Sequence, residues 1–399
     1  MLDLIQGGAT ITILIIVSLL ILYWNIMATI AKGLFAVGVN NTYGLLKSSF
    51  MMSLFSKLSK RKVPNGLPVL EEFEKVSPRV YRVLGLNPGP HTLQGTNTWL
   101  ITGNNSSSSA EHILVDTGED STADEYVNLL FNKVFPISGT KRLSKILLTH
   151  GHGDHQGGVL RILEELKSRQ MLPLPTIYKR NIKNGNFPCV GFTCEQINDL
   201  DIYNIDTTTT IQACYTPGHT DDHVGFLLHE DHAVLSGDCV LGCGTSVFDN
   251  LFQYMNSLRR IRKIIVDSND NNRNNDNMML YPNSIHTIYP GHGPVIRNSA
   301  LEKIDEYIHH RELREGQILA VLHNGVRKGE NSKNDAYNWH ASWDIMSTMY
   351  GPLPSFMIQL SAMHNVSHHL EKLQQEGRIE SRWPDLWRLK STTTTAAAI

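Results

Sequence analysis

Residues 149–158, THGHGDHQGG, set three histidines and an aspartate within six positions, in a chain with 18 histidines among 399 residues. An exposed loop gains nothing from so many imidazoles, and a core struggles to satisfy their ring nitrogens. A metal ion uses them. Alternate residues of an extended segment point the same way, so His150 and His152 can grip one ion. Asp154 and His155 turn round the glycine toward a second position. Four residues do not saturate two metals, and further ligands follow: His219 in YTPGHT, Asp238 in SGDC and His292 in YPGHGP. Each stands just after an apolar stretch, beside a glycine that lets the backbone turn sharply. Strand ends of this kind are where active sites collect. The donor set is five imidazoles and two carboxylates, which suits zinc and related divalent ions without thiolate. With one carboxylate bridging, each metal gains four protein ligands and there is room for a shared hydroxide. A structural zinc site is closed and usually cysteine-rich, so this open set points to catalysis.

Positioning such ligands takes strands that end at the site. RVYRVLGL, TNTWLIT, HILVDTG and SKILLTH are short, β-branched and bounded by Gly, Asn or Asp, as strands are. TIQACYTPGH, HVGFLLHE, HAVLSGDCVLG and IHTIYPGHGPV repeat the pattern further along. Between them GGVLRILEELKSRQ has helical spacing, with Val159, Ile162, Leu163 and Leu166 on one face, and NLFQYMNSLRRIRKII reads as another helix. The mixture predicts an α/β fold of two sheets flanked by helices. After about residue 300 the chain turns helical: LEKIDEYIHHRELREGQILAVLH is one amphipathic run. A second helix group, a Gly turn and a short strand follow, the pattern of a small winged-helix unit or of a helical cap. The runs at 106–109, 207–210, 269–277 and 391–399 are low in complexity and are expected to be disordered loops or tails.

The amino terminus differs. Residues 9–31 carry no charge and would form a helix of about 35 Å, enough for a hydrocarbon core of roughly 30 Å. Lys32, Lys47, Lys57, Lys60, Arg61 and Lys62 follow, with no acidic residue between Asp3 and Glu71. Positive charge stays on the cytoplasmic side, so a membrane anchor with a cytoplasmic catalytic domain is expected. The basic, acid-free stretch 29–63 also fits mitochondrial targeting. The expected organisation is an anchor and basic linker over 1–65, a catalytic domain over 66–300, a winged-helix-like domain over 301–390 and a tail over 391–399. A formal net charge of −2 gives no global field toward nucleic acid or anionic lipid. Cys189, Cys194, Cys214, Cys239 and Cys243 form no CxxC pair and are expected to be reduced, mostly buried thiols.

The order of VDTG, THGHGDH, TPGHTDDH, SGDC and YPGHGP resembles the metallo-β-lactamase fold superfamily. That resemblance implies an αβ/βα sandwich with two Zn2+ per chain at one edge. It implies His150, His152 and His219 on one ion, Asp154, His155 and His292 on the other, and Asp238 bridging. Asp116 would orient a ligand histidine. HTLQGTNTWLI, SGDCVLGCGTSVF, YMNSL and YPGHGPVI further resemble a group within the superfamily, metal-dependent endoribonucleases of single-stranded RNA with a winged-helix-like extension. The likeness spans roughly residues 78–382 and departs in the amino-terminal apolar run, the Asn-rich insertion and the loop at 323–345.

Two zinc ions roughly 3.5–4 Å apart activate water and stabilise attacking and leaving oxygens, which serves phosphodiesters, thioesters and amides alike. The expected reaction is attack of a metal-bridged hydroxide on an RNA phosphodiester, with Asp154 and Asp238 holding the metals and orienting the nucleophile. The alternative is a thioester hydrolase, either hydroxyacylglutathione hydrolase-like or acyl-carrier thioesterase-like, since those enzymes share TPGHT. A membrane-tethered binding module without catalysis would have broken ligands, and none is broken. No protein partner is identifiable. His223 could touch substrate or support the ligands. Arg259, Arg260, Arg262 and Lys263 form a basic cluster that either steers phosphates or lines a solvated helix face. Arg311 and Arg314 are candidate donors to an RNA strand.

Overall fold

Residues that alternate between two apolar environments build the first sheet. In the computed structural model, which describes residues 62–103, 112–180, 189, 191–269, 285–325, 339–354 and 356–390, it has seven strands in sequence order. These are β1 (Phe73–Lys75), β2 (Val80–Leu84), β3 (Asn97–Ile101), β4 (His112–Val115), β5 (Leu143–Leu147), β6 (Thr176–Lys179) and β7 (Glu195–Gln196). The first four pair antiparallel, and β4 to β7 pair parallel. The second sheet runs β12-β11-β10-β9-β8, with β8 (Ile202–Asn204), β9 (Thr210–Tyr215), β10 (Val224–Leu228), β11 (Ala233–Gly237) and β12 (Thr287–Pro290). Pairing there is antiparallel except for β11 with β12.

Period-two side chains weld the sheets face to face. Trp99, Ile101, Ile113, Val115 and Leu147 meet Ala213, Phe226, Leu228, Leu235 and Tyr289 in one buried cluster. Trp99 and Tyr289 rings lie 4.9 Å apart across it. The opposite face of the first sheet, with Leu100, Leu114, Ile146 and Leu148, packs on a helical layer. That layer is α1 (Ala123–Leu129), a π-helical turn (Leu130–Val134), α2 (Phe135–Ser138), α3 (Gly153–Gln156) and α4 (Val159–Ser168). Val159, Ile162 and Leu166 are its buried stripe on α4, as the spacing predicts. The outer face of the second sheet, with Cys214, Leu227 and Val234, packs on α5 (Leu251–Asn269) and the first half of α6 (Ala300–Asn324). Helix, sheet, sheet, helix: this is the expected αβ/βα sandwich.

The chain divides into two compact units within α6, between Glu315 and Gly316. The second unit adds α7 (Ser342–Tyr350), α8 (Phe356–Gln375) and a three-stranded sheet in the order β13-β15-β14. Its strands are β13 (His340–Ala341), β14 (Ile379–Arg382) and β15 (Leu386–Leu389). Ile345, Met346, Val366, Leu370, Leu373, Ile379 and Trp387 form its own core. Two helices followed by a strand hairpin make the winged helix.

Several expectations are corrected. Membrane anchoring is not supported: among the described residues no helix is long and apolar enough to cross a membrane. The run 9–31 and most of the basic stretch 29–63 lie outside those residues, as do 106–109, 270–277 and 391–399. The threonines at 207–210 are not a disordered insertion. Thr209 is buried and accepts a hydrogen bond from Arg79 Nε, and Thr210 opens β9. Threonine is β-branched and its hydroxyl bonds locally, so a short run of it is good strand and turn material. The cysteines are not all free thiols either, because Cys189 and Cys194 form a disulfide while Cys214 and Cys239 are buried thiols.

Candidate metal centre

The four ligand-bearing segments follow strands of both sheets. After β5 the chain bends at Thr149 and reaches His152, which is extended at φ −65° and ψ 147° and immediately precedes α3. His150 and His152 turn nitrogens to one point, 2.9 Å apart, while Asp154 and His155 fall in the first turn of α3. Just past α3, a Cβ at Gly158 would collide with the Thr117 carbonyl, so only glycine lets the segment sit this close to β4. His219, Asp238 and His292 follow β9, β11 and β12.

The side chains converge as two groups: His150, His152, His219 and Asp238, and Asp154, His155 and His292. In the first, His150 Nε2 lies 2.9 Å from His152 Nδ1, and His219 Nε2 lies 3.2 and 3.1 Å from those two atoms. In the second, His155 Nε2 and His292 Nε2 are 3.2 and 3.3 Å from Asp154 Oδ2. Asp238 joins them. Its Oδ2 is 3.6 Å from His219 Nε2 and 3.3 Å from His292 Nε2, and its Oδ1 is 3.4 Å from His155 Nε2. A tetrahedral zinc with bonds of about 2.0–2.1 Å holds its ligand atoms roughly 3.3–3.4 Å apart, so the spacing fits a metal in each group. His155 Nε2 and Asp238 Oδ1 are buried with no hydrogen-bond partner among the described residues, which is the state of atoms made to take a cation.

Hydrogen bonds on the far side of the His155, His150 and His219 rings fix which nitrogen faces inward. His155 Nδ1 donates to Asp116 Oδ2 at 2.8 Å. Asp116 also accepts from the Thr149 amide and hydroxyl, both at 2.8 Å. His150 Nδ1 donates to that same hydroxyl at 3.0 Å, so one carboxylate governs two ligands. His219 Nδ1 donates to the Val247 carbonyl at 2.8 Å, and Thr96 Oγ1 donates to Asp154 Oδ2 at 2.9 Å. Without a metal the groups differ in charge. Burial, reinforced by neighbouring imidazoles, pushes His150 well below its ordinary value, and burial holds His152 at about 4. Burial also disfavours charge at His155 and His292, but the carboxylates overcome it. Asp154, Asp238 and Asp116 hold His155 well above the usual range, and Asp238 and Asp154 raise His292 to about 10.

All seven expected ligands are thus brought together, and Asp116 is hydrogen-bonded to one of them, His155. His223 does not face an open site. It is fully buried, its Nδ1 lies 3.1 Å from the Thr216 carbonyl, and its Nε2 accepts the Asp238 amide at 3.1 Å. It supports Asp238 through the backbone. The basic cluster is a paired helix face: Arg259 bonds Glu312, Arg260 bonds Asp199 and Arg262 bonds Asp305. Arg311 is no surface donor to RNA, because it is 3% exposed and its Nη2 donates to the Ser246 carbonyl. Sequence reasoning missed the Val247 carbonyl and the buried ion pair of Lys179 with Asp222, 3.2 Å apart beside the His219 loop. Only the SGDCVLGCGTSVF likeness hinted that residues 239–248 matter.

Residues 91–177 match the model of the metallo-beta-lactamase superfamily, and residues 341–387 match the beta-lactamase associated winged helix domain. The chain is 36% identical over 318 residues to the beta-lactamase-like protein 2 homolog of Caenorhabditis elegans, covering 79% of this chain and 91% of that one. It is 33% identical over 295 residues to the atrochrysone carboxyl ACP thioesterase of Aspergillus fumigatus, covering 73% and 79%. Its fold is similar to that of a beta-lactamase domain protein from Burkholderia ambifaria, with a TM-score of 0.58 at 16% identity over 82% and 96% of the two chains. The narrower group that the motifs resemble is the one named beta-lactamase-like protein 2.

Proposed function

The chain belongs to the metallo-β-lactamase superfamily, and from that premise we propose that it is a dinuclear zinc hydrolase that cuts single-stranded RNA. The observation that carries the dinuclear reading is Asp238, whose carboxylate oxygens lie 3.3 to 3.6 Å from histidines of both groups. His150, His152 and His219 would hold one zinc, Asp154, His155 and His292 the other, and Asp238 both. A bound pair of divalent ions supplies activated water and charge stabilisation for the attacking and leaving oxygens. Asp116 fixes the donor faces of His155 and His150, so the ligand atoms are set before substrate arrives. The buried Lys179–Asp222 pair, together with the bond from Thr220 Oγ1 to Asp222 Oδ1, anchors the loop that presents His219. His223 anchors Asp238.

RNA is favoured by the motif resemblance and by the 36% identity to a beta-lactamase-like protein 2 homolog. A thioester substrate is the second reading, favoured by the relative named as an acyl-carrier thioesterase. The test offers the zinc-loaded full chain single-stranded RNA, S-lactoylglutathione and an acyl-carrier thioester in parallel, with affinity followed across a salt series. Cleaved RNA, and binding that falls with salt by a slope of about −0.7 per phosphate contacted, is the expected result. Salt-insensitive binding, with RNA intact and thioester turned over, refutes RNA in favour of the thioester.

A further inference from the structure

The segment from Asp238 to Phe248 joins a proposed metal ligand to the carbonyl that orients another. Its ends are packed, with Cys239, Val240 and Phe248 in the core, but Gly244 and Thr245 are exposed and Val247 is 67% exposed. Hydrogen bonds hold that exposed part. Ser246 Oγ donates to the Asp238 carbonyl at 2.5 Å, and Val247 accepts the Nδ1–H of His219. From below, α6 fastens the segment at three places. Tyr307 Oη accepts the Leu241 amide at 3.2 Å and donates to the Gly244 carbonyl at 3.0 Å. One turn on, Arg311 Nη2 donates to the Ser246 carbonyl at 2.9 Å, and its guanidinium lies 4.9 Å from the centre of the Phe248 ring.

We propose that Arg311, assisted by Tyr307, is a positioning residue for the group formed by His150, His152, His219 and Asp238, acting through the backbone of residues 241–248. The inference rests on the metal-centre reading. Burying a guanidinium is costly, and an aliphatic side chain would fill the same space without that cost. The arginine brings what an aliphatic chain lacks, a charge-assisted bond to a buried carbonyl and a flat cation against an aromatic face. Losing it leaves the Ser246 carbonyl unpartnered and frees the adjoining Val247 carbonyl to leave His219. The imidazole can then turn or change tautomer, and Nε2 no longer faces its partners. The group of Asp154, His155 and His292 meets this segment at the backbone, where the Gly242 amide donates to the His292 carbonyl at 2.8 Å. Its side chains are oriented from elsewhere: His155 by Asp116, Asp154 by Thr96, and His292 by the Gly95 carbonyl, 3.4 Å from Nδ1.

The test compares the wild type with Arg311→Met, Arg311→Lys and Tyr307→Phe, each stripped of metal and titrated with Co2+. Visible absorption and chelator competition read the affinity of each binding step, and nitrogen-15 NMR of the metal-free chains reads the tautomer of His219. Arg311→Met is expected to weaken one Co2+ step about 10–100-fold while the other stays near wild type, and to reduce the Nδ1–H form of His219. Arg311→Lys, which keeps a donor, should recover part of the loss. Tyr307→Phe removes only a hydroxyl, so it should fold even if Arg311→Met does not, and should show a smaller loss in the same step. Unchanged steps in Tyr307→Phe and in every folded Arg311 variant, or equal weakening of both, overturn the inference. A wild type that binds no Co2+ overturns the metal-centre reading and the inference with it.

Discussion

Asp116→Asn isolates the orienting carboxylate with little steric change. Asp116 sits in the left-handed region at φ 62°, which asparagine also tolerates, so the backbone can stay as it is. The side chain is 1% exposed and takes three donors. An amide can keep the Thr149 N–H on its oxygen. Its NH2 then faces the Thr149 hydroxyl, which can rotate, and His155 Nδ1–H, which cannot. The imidazole is driven to carry its proton on Nε2, the atom 3.2 and 3.4 Å from Asp154 and Asp238, and that nitrogen is lost to a metal. Losing an orienting partner of this type lowers metal affinity about 10–100-fold. Losing one or two hydrogen bonds to a buried charge lowers unfolding free energy by about 2–5 kcal/mol. Chelator competition and urea unfolding of the metal-free protein read these separately. A variant that loses stability but binds both ions within about twofold of wild type would refute the tautomer argument, since such partners normally matter more.

Gly291→Ala should abolish binding at both groups together, because the added Cβ would fall on Asp238 Oδ1 beside the Gly237 backbone; a metal analysis finding one full-affinity ion refutes this. Lys179→Met leaves Asp222 buried without this cation and should destabilise the fold by about 3–5 kcal/mol, with partial recovery in Lys179→Met/Asp222→Asn; urea unfolding of the wild type and both variants checks it. Burial holds His112 at about 4, below its ordinary value near 6.5, so the unfolded chain takes up the proton first as pH falls. This stability is complete above about pH 6.5 and is lost toward pH 4, by up to about 3 kcal/mol. His112→Gln should flatten that part of the unfolding free energy against pH, and parallel curves for variant and wild type would count against it.

The ligands were legible because each couples a metal-binding side chain to a glycine at the end of an apolar strand, and both properties are local. The sandwich was legible for the same reason, since period-two apolar residues with both faces buried imply layers on either side. What holds the ligands was not. Arg311 stands 73 positions after Asp238 in the chain, in a helix whose pattern makes it one charge among many. Burial and its bond to the Ser246 carbonyl come from the packing of α6 against the second sheet, which no spacing rule reports. The same holds for Lys179, whose partner Asp222 lies across the gap between the two sheets in sequence. The Val247 contribution is a backbone carbonyl and has no side-chain signature at all. The threonines at 207–210 misled because composition was read where β-branching mattered more.

The ligands come from the ends of strands in both sheets of the sandwich, four residues following β5 and three following strands of the other sheet. Ions gripped by such a set work as staples between two otherwise separately hydrogen-bonded ladders. Opening either sheet at its ligand edge means giving up the ions, so loading should tie the fluctuations of one sheet to those of the other. Backbone amides in β5 and in β11, which share no hydrogen bonds, should then slow their exchange with solvent together as metal is added. Thermal unfolding should sharpen and move upward over the same titration. A centre loaded in this way would fasten the fold as well as serve chemistry, and the metal-free protein would be the looser one.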